Sequence, residues 1–226
     1  MRYWLLVTSF IFSLAACAQE APAADGKKYV EGQHYTRLSA AVPSIVDTSK
    51  LVEVTEVFRF GCPACANFEK AAIAWKPSKP EYLAFLKNPV IWNAVTEKRA
   101  EAYFTGKALG LEQETANAIF DAIHEKATTK REANSTLTKD AQIVDMLASL
   151  GADKAKAEKV LKSFGTKSMV NKADSRARSF SVGGTPELYV DGRYRITISG
   201  AGGYREALDV ATYLASKIAK ERGIIE

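Results

Sequence analysis

Cys62 and Cys65, separated only by Pro63 and Ala64, are the residues of this chain best suited to chemistry. Two thiols this close can close to a disulfide and reopen, so they form a dithiol switch. The chain holds 3 cysteines in all, and the remaining one is Cys17. Metal binding is the competing use of such a pair. Zinc generally takes four protein ligands, however, and there is no second CxxC and only 2 histidines, His34 and His124, neither at ligand spacing. A purely structural bridge is the other alternative, and so small a loop constrains little chain. The pattern favours redox exchange over both.

The N-terminus bears on how those thiols are used. Arg2 precedes an apolar run from Tyr3 to Ala16, the length of a signal-peptide core and too short for a stable bilayer-spanning helix. The chain is therefore read as exported, with residues 1–16 as a signal peptide. The run ends in Leu14-Ala15-Ala16-Cys17, which resembles the bacterial lipobox, whose cysteine carries lipid at the new N-terminus; Cys17 is then a lipid anchor. Ordinary cleavage, around Ala16 or within Ala21-Pro22-Ala23-Ala24, is the alternative. Residues 17–28, rich in Ala and Pro and without apolar periodicity, read as a flexible tether. An exported protein meets an oxidising periplasm, where a CxxC pair is expected to do thiol–disulfide chemistry.

The dithiol must be held by flanking elements. At 226 residues and 47% hydrophobic content, the chain has apolar material for one compact domain or a domain with an insertion. Without the leader, 30 basic and 26 acidic residues remain, a mild excess that does not imply nucleic acid. From Val52 to Phe60 the sequence reads as a strand with Val52, Val54, Glu56, Phe58 and Phe60 on one face. Glu56 thus sits on an apolar face, where a carboxylate is costly to ionise and its pKa should rise; its expected job is to relay protons to the inner cysteine. Gly61 makes a turn, Cys62 stands at a helix mouth and Pro63 fills the first helical position, where its missing N–H costs nothing. The helix is expected to run through Cys65, Phe68, Ala71 and Ala72 to about Trp75. Cys62 then receives unpaired N–H groups and the positive helix end, making it the exposed low-pKa nucleophile, and Cys65 is the covered resolving thiol.

Gly183-Gly184-Thr185-Pro186 leads into a strand-like Glu187-Leu188-Tyr189-Val190, a turn at Asp191-Gly192, and a second run from Arg193 to Ser199. With an exported CPxC after a strand, Thr185-Pro186 reads as the cis-proline loop that faces the dithiol in the thioredoxin superfamily, with Thr185 offering backbone to an extended substrate peptide. These motifs, joined by Tyr29-Val30-Glu31-Gly32-Gln33-His34-Tyr35 and Ser199-Gly200-Ala201-Gly202-Gly203, make the chain from Tyr29 onward resemble the DsbA thiol:disulfide oxidoreductases. The resemblance implies an α/β fold, a thioredoxin domain (29–91 and 166–226) interrupted by a helical insertion (92–165). The middle of the chain fits, with helical stripes of Ala116, Ile119, Phe120 and Ile123, of Ile143, Met146, Leu147 and Leu150, and of Ala157, Val160, Leu161 and Phe164. It also maps the family's acidic residue onto Glu56 and its basic partner onto Lys87.

By that resemblance the function is donation of the Cys62–Cys65 disulfide to reduced or unfolded exported proteins, with no cofactor beyond the disulfide itself. Re-oxidation falls to a quinone-linked membrane partner of the DsbB kind, and the protein is expected to be a monomer, tethered to a membrane in the periplasm through Cys17. The chain departs from the best-known pattern at Ala64, where histidine commonly stands; losing an imidazole should raise the Cys62 pKa relative to a histidine-bearing relative. A dinucleotide site at Gly200-Ala201-Gly202-Gly203 is excluded by Arg205, where GxGxxG needs glycine. A reductase or isomerase of the same fold is the nearest rival. Fewer than 50 residues separate Cys17 from Cys62, which leaves little room for an isomerase's dimerisation module. From another class, a non-enzymatic peptide-binding or chaperone lipoprotein would keep its activity without Cys62.

Overall fold

The computed structural model describes residues 29–226; the leader, Cys17 and the tether lie outside the described residues. Five strands form one mixed sheet in the order β1-β5-β4-β2-β3. They are β1 (Thr36–Arg37), β2 (Val52–Phe58), β3 (Leu83–Pro89), β4 (Glu187–Val190) and β5 (Tyr194–Thr197). β2 runs parallel to β3 and antiparallel to β4, and β5 is antiparallel to both β4 and β1. β4 and β5 are joined by Asp191, Gly192 and Arg193; Asp191 and Gly192 take positive φ, 55° and 63°, and Arg193 N–H closes the turn on Val190 O at 3.0 Å.

β2 is interior and buried along its whole length, on both faces. One face, with Val52 and Val54, packs against Phe68, Ala72 and Trp75 of α1 (Pro63–Trp75) and Leu208, Ala211 and Leu214 of α9 (Tyr204–Glu221). The other, with Val57, packs with Phe180 and Ala177 beside α7 (Phe164–Ser179). Helix layers on both faces explain why the strand shows no solvent side. It also ends at Phe58, two residues before the expected end, because Cys62 N–H bonds Arg59 O at 3.0 Å and turns the chain into α1.

Between β3 and β4 stand α2 (Ala94–Ala108), α3 (Glu112–His124), α4 (Lys130–Ser135), α5 (Asp140–Ser149) and α6 (Lys154–Leu161), followed by α7. Ala116, Ile119, Phe120 and Ile123 are buried on α3, as are Ile143 and Leu147 on α5 and Ala157 and Leu161 on α6. Phe164 is the exception at 85% exposure. Helix α6 ends at Leu161, and Ser163 starts a new helix by accepting from Thr166 N–H, so Phe164 belongs to another helix with another face. That helix spans the 165/166 boundary and packs along β3, joining the helical layer to the sheet. The helical core reaches the dithiol directly: Phe58, Phe60, Cys62 and Cys65 share one apolar cluster with Tyr103, Phe120 and Val170. A short α8 (Ile198–Ala201) closes against α9.

Candidate active site

Cys62 is the N-cap of α1 in extended conformation (φ −97°, ψ 117°), with Pro63 at the first helical position. That cap leaves the first-turn N–H groups without intrahelical partners, and the backbone N–H groups of Ala64 and Cys65 serve the sulfur. The Cys62 thiol is pulled down to about 5. The largest cause is a hydrogen bond with the Cys65 side chain; burial opposes it, and the Thr185 side chain and the two backbone N–H groups add to the fall. When protonated, the thiol donates to Thr185 O at 3.3 Å, a contact that favours the neutral form but is outweighed. Cys65, one turn into the helix, is fully buried, and burial pushes its thiol far up, followed by the contact with Cys62 and the charge of Glu56. Both cysteines are free thiols, and both are buried: Cys62 is 8% exposed, less open than the exposed nucleophile that the sequence predicts, because the Thr185 carbonyl lies against its sulfur.

Beneath Cys65 the register of two strands brings a base to an acid. Glu56 and Lys87 are Cα partners in the β2–β3 ladder, and Lys87 Nζ lies 3.5 Å from Glu56 Oε2. This is an ion pair and not a hydrogen bond: neither Glu56 oxygen accepts one. Burial pushes the Glu56 carboxyl up to about 7, Lys87 pulling it down and Glu69 adding to the rise. Lys87 hydrogen-bonds Glu69 instead. Burial disfavours its ammonium, but Glu56 and Glu69 together outweigh that, and its pKa is raised. The ammonium also sits over the rings of Phe58 (4.8 Å) and Phe120 (5.7 Å).

Glu69 is a site residue the sequence reading missed. It stands four residues after Cys65 on the buried stripe of α1, and a carboxylate on that stripe was the available signal. Its other oxygen accepts from Gln113 Nε2 at 2.8 Å; Gln113 also donates to Asn117 Oδ1 at 2.9 Å and accepts from half-buried Lys76. A polar chain thus leads from Glu56 to the α1–α3 surface, where Glu69 and Asn117 line a recess of about 200 Å³. His124 Nε2, on the same wall, pairs with Phe60 O at 2.7 Å and ties α3 to the segment entering the dithiol.

Thr185-Pro186 is a cis peptide bond whose loop meets Cys62 directly, Thr185 O standing 3.3 Å from the sulfur, and the same loop lines a recess of about 470 Å³ that reaches Ala64. Ala64, Gly184, Thr185, Pro186, Ile198 and Tyr204 line it. A thiol held near pH 5, a neighbour held protonated, a buried acid and an open cleft beside them are equipment for thiol–disulfide exchange with a large substrate.

Comparison with known proteins bears this out. The thiol:disulfide interchange protein DsbA of Pseudomonas aeruginosa is 32% identical over 213 residues, covering 94% of this chain and 93% of its own. The chain belongs to the DsbA family. Another DsbA, from Azotobacter vinelandii, is 32% identical over 93% of this chain and 92% of its own. The crystal structure of the P. aeruginosa DsbA superposes with a TM-score of 0.74 at 33% identity, over 86% of this chain and 95% of that one. The DSBA-like thioredoxin domain profile matches residues 83–207, downstream of the cysteine pair, so the geometry around Cys62 supplies what that profile does not cover. The protein is a thiol:disulfide oxidoreductase with the DsbA-like fold, and the non-enzymatic alternative falls away. Among the described residues no helix is long and apolar enough to cross a membrane.

Proposed function

We propose that this DsbA-family oxidoreductase works in the periplasm as a disulfide donor to reduced exported proteins. The observation that carries the direction is the asymmetry of the two thiols, one pulled down to about 5 and the other pushed far up. A substrate thiolate attacks Cys62 Sγ; the Cys62–Cys65 bond breaks and a mixed disulfide forms. Cys65 leaves as a thiolate and takes a proton from Glu56, whose carboxyl is held near 7 and whose own proton is restored through the Lys87–Glu69 pair, which Gln113 holds in place by donating to Glu69. The substrate's second thiolate then attacks its own sulfur in the mixed disulfide, releasing Cys62 as a thiolate. Two electrons pass from substrate to enzyme, and the cysteine pair is the only carrier needed. Low basicity makes Cys62 a good leaving group, so release is downhill. DsbA is itself the standard example of a depressed CxxC thiol and a strong oxidant, so this direction agrees with family precedent.

Pro63 sets the helix start, Ala64 and Thr185 form the walls beside Cys62, and Thr185-Pro186 receives the substrate backbone. A quinone-linked membrane partner of the DsbB kind re-oxidises the pair, and the protein acts as a monomer held at the membrane by lipid on Cys17. Mass spectrometry of the exported protein tests the anchor: a lipid-bearing N-terminus at Cys17 supports it, an N-terminus beyond Ala24 removes it. For the direction, the oxidised protein is mixed with a reduced, unfolded two-cysteine protein. One substrate disulfide should form for each Cys62–Cys65 pair reduced, and Cys62→Ser should form none; net reduction of an oxidised substrate by the dithiol form would reverse the assignment to reductase.

A further inference from the structure

Most deeply placed cations of the described chain have a carboxylate: Lys87 has Glu56 and Glu69, Arg176 has Glu53, and Arg222 and Arg193 share Asp191. Two arginines beside the nucleophile do not. Arg59, just past the end of β2, makes no ion pair and donates no side-chain hydrogen bond among the described residues; its Nε is buried without a partner there, and its guanidinium faces the ring of Trp92 at 5.7 Å. Arg99, on α2, is 4% exposed. Its Nε and Nη2 are held by the carbonyls of Ala133 (2.5 Å) and Thr136 (3.1 and 3.3 Å), which leaves Nη1 uncommitted.

Both Nη1 atoms converge on the residue that precedes Cys62. A Cβ built on Gly61 would stand 3.1 Å from Arg99 Nη1 and 3.9 Å from Arg59 Nη1. The two cations are close enough to oppose each other: burial and then Arg59 lower the Arg99 pKa. Two guanidiniums that repel, with uncommitted N–H groups and no anion of their own, form a seat for an anion that arrives from outside. The reacting sulfur is the next residue along, so the anion is one carried by the thiol substrate. Trp92, 54% exposed, adds an apolar wall to the same edge.

We propose that Arg59, backed by Arg99, is a specificity-determining residue that receives the carboxylate of an aspartate or glutamate next to the substrate's reacting cysteine. This rests on thiol exchange at Cys62, which the neutral peptide below reports on its own. The test is single-turnover oxidation of two dithiol peptides that differ only by Asp or Asn beside one cysteine. At low salt the acidic peptide should react about three to ten times faster, the range open to a partly screened charge-assisted contact, and high salt should erase the ratio. Arg59→Gln should bring the ratio to about one and Arg59→Lys should keep part of it, as expected when charge is retained but the fork is lost. A wild-type ratio of one at low salt would overturn the proposal without touching the oxidoreductase assignment, as would a ratio that survives Arg59→Gln. So would Arg59→Gln slowing both peptides equally while raising the Cys62 pKa, which would place the cation's action on the thiolate. Failure to oxidise either peptide would strike the exchange chemistry itself.

Discussion

Glu53 and Glu56 stand three residues apart on the same central strand, both 0% exposed, on opposite faces. Glu53 is fully provided for: it pairs with Arg176 and accepts from Ser44 Oγ (3.0 Å), Ile45 N–H (2.8 Å) and Thr55 Oγ1 (2.6 Å). Glu56 accepts no hydrogen bond and has only a 3.5 Å ion pair with a lysine that Glu69 also claims. Burial alone does not mark a functional carboxylate. A satisfied one ties loop, strand and helix together; an unsatisfied one is poised to hold a proton.

If that contrast is right, the two positions should fail differently when altered. Glu53→Ala leaves Arg176 without its partner and should cost about 3 to 5 kcal/mol in urea unfolding. The contrast breaks if Glu56→Ala costs more. For Glu56 the signature is pH dependence. Its folded pKa, about 7, lies above its ordinary value of 4.5, so the folded state binds the proton more tightly. Its stabilising contribution is therefore complete below pH 4.5 and is lost as pH rises through 7, about 3 kcal/mol in all at 1.36 kcal/mol per unit. Unfolding the oxidised protein across that window measures it, since no Cys62 thiol then titrates. Glu56→Gln should flatten the slope and slow proton delivery to Cys65; an unchanged slope and unchanged pH–rate profile would remove Glu56 from the relay.

Cys62 carries the opposite sign. A thiol lowered from 9.0 to about 5 stabilises the reduced fold above its unfolded pKa, and the contribution disappears as pH falls through about 5. Reduced protein should thus gain on oxidised protein between pH 5 and 9, and parallel curves for the two forms would contradict the thiolate. The smallest expected effect is at Ala64: Ala64→His adds a cation beside Cys62 and should lower its pKa by about one unit, roughly tenfold in the exchange constant. Thiolate absorbance against pH reads it directly.

Much of the site was written in adjacent residues. CPxC after a strand placed Cys62 at a helix mouth, and period-two spacing put Glu56 among core residues, because both depend on local geometry. Lys87 follows from strand register, which a sequence does not print; only the family pattern suggested it. Gln113 and Arg99 reach the site from separate helices, and nothing in their neighbours announces that convergence; Glu69 was legible only as a carboxylate on the buried stripe of α1. Phe164 shows the opposite failure: an apolar stripe continued on paper across a helix break that Ser163 imposes.

The central claim is that a stabilised Cys62 thiolate makes this pair an oxidant, and its equilibrium reduction potential in glutathione buffers tests that most directly. A potential above about −200 mV, with the reduced form the more stable to heat, is the predicted result. A value at or below about −270 mV, where reducing dithiols lie, with the oxidised form more stable, would contradict it.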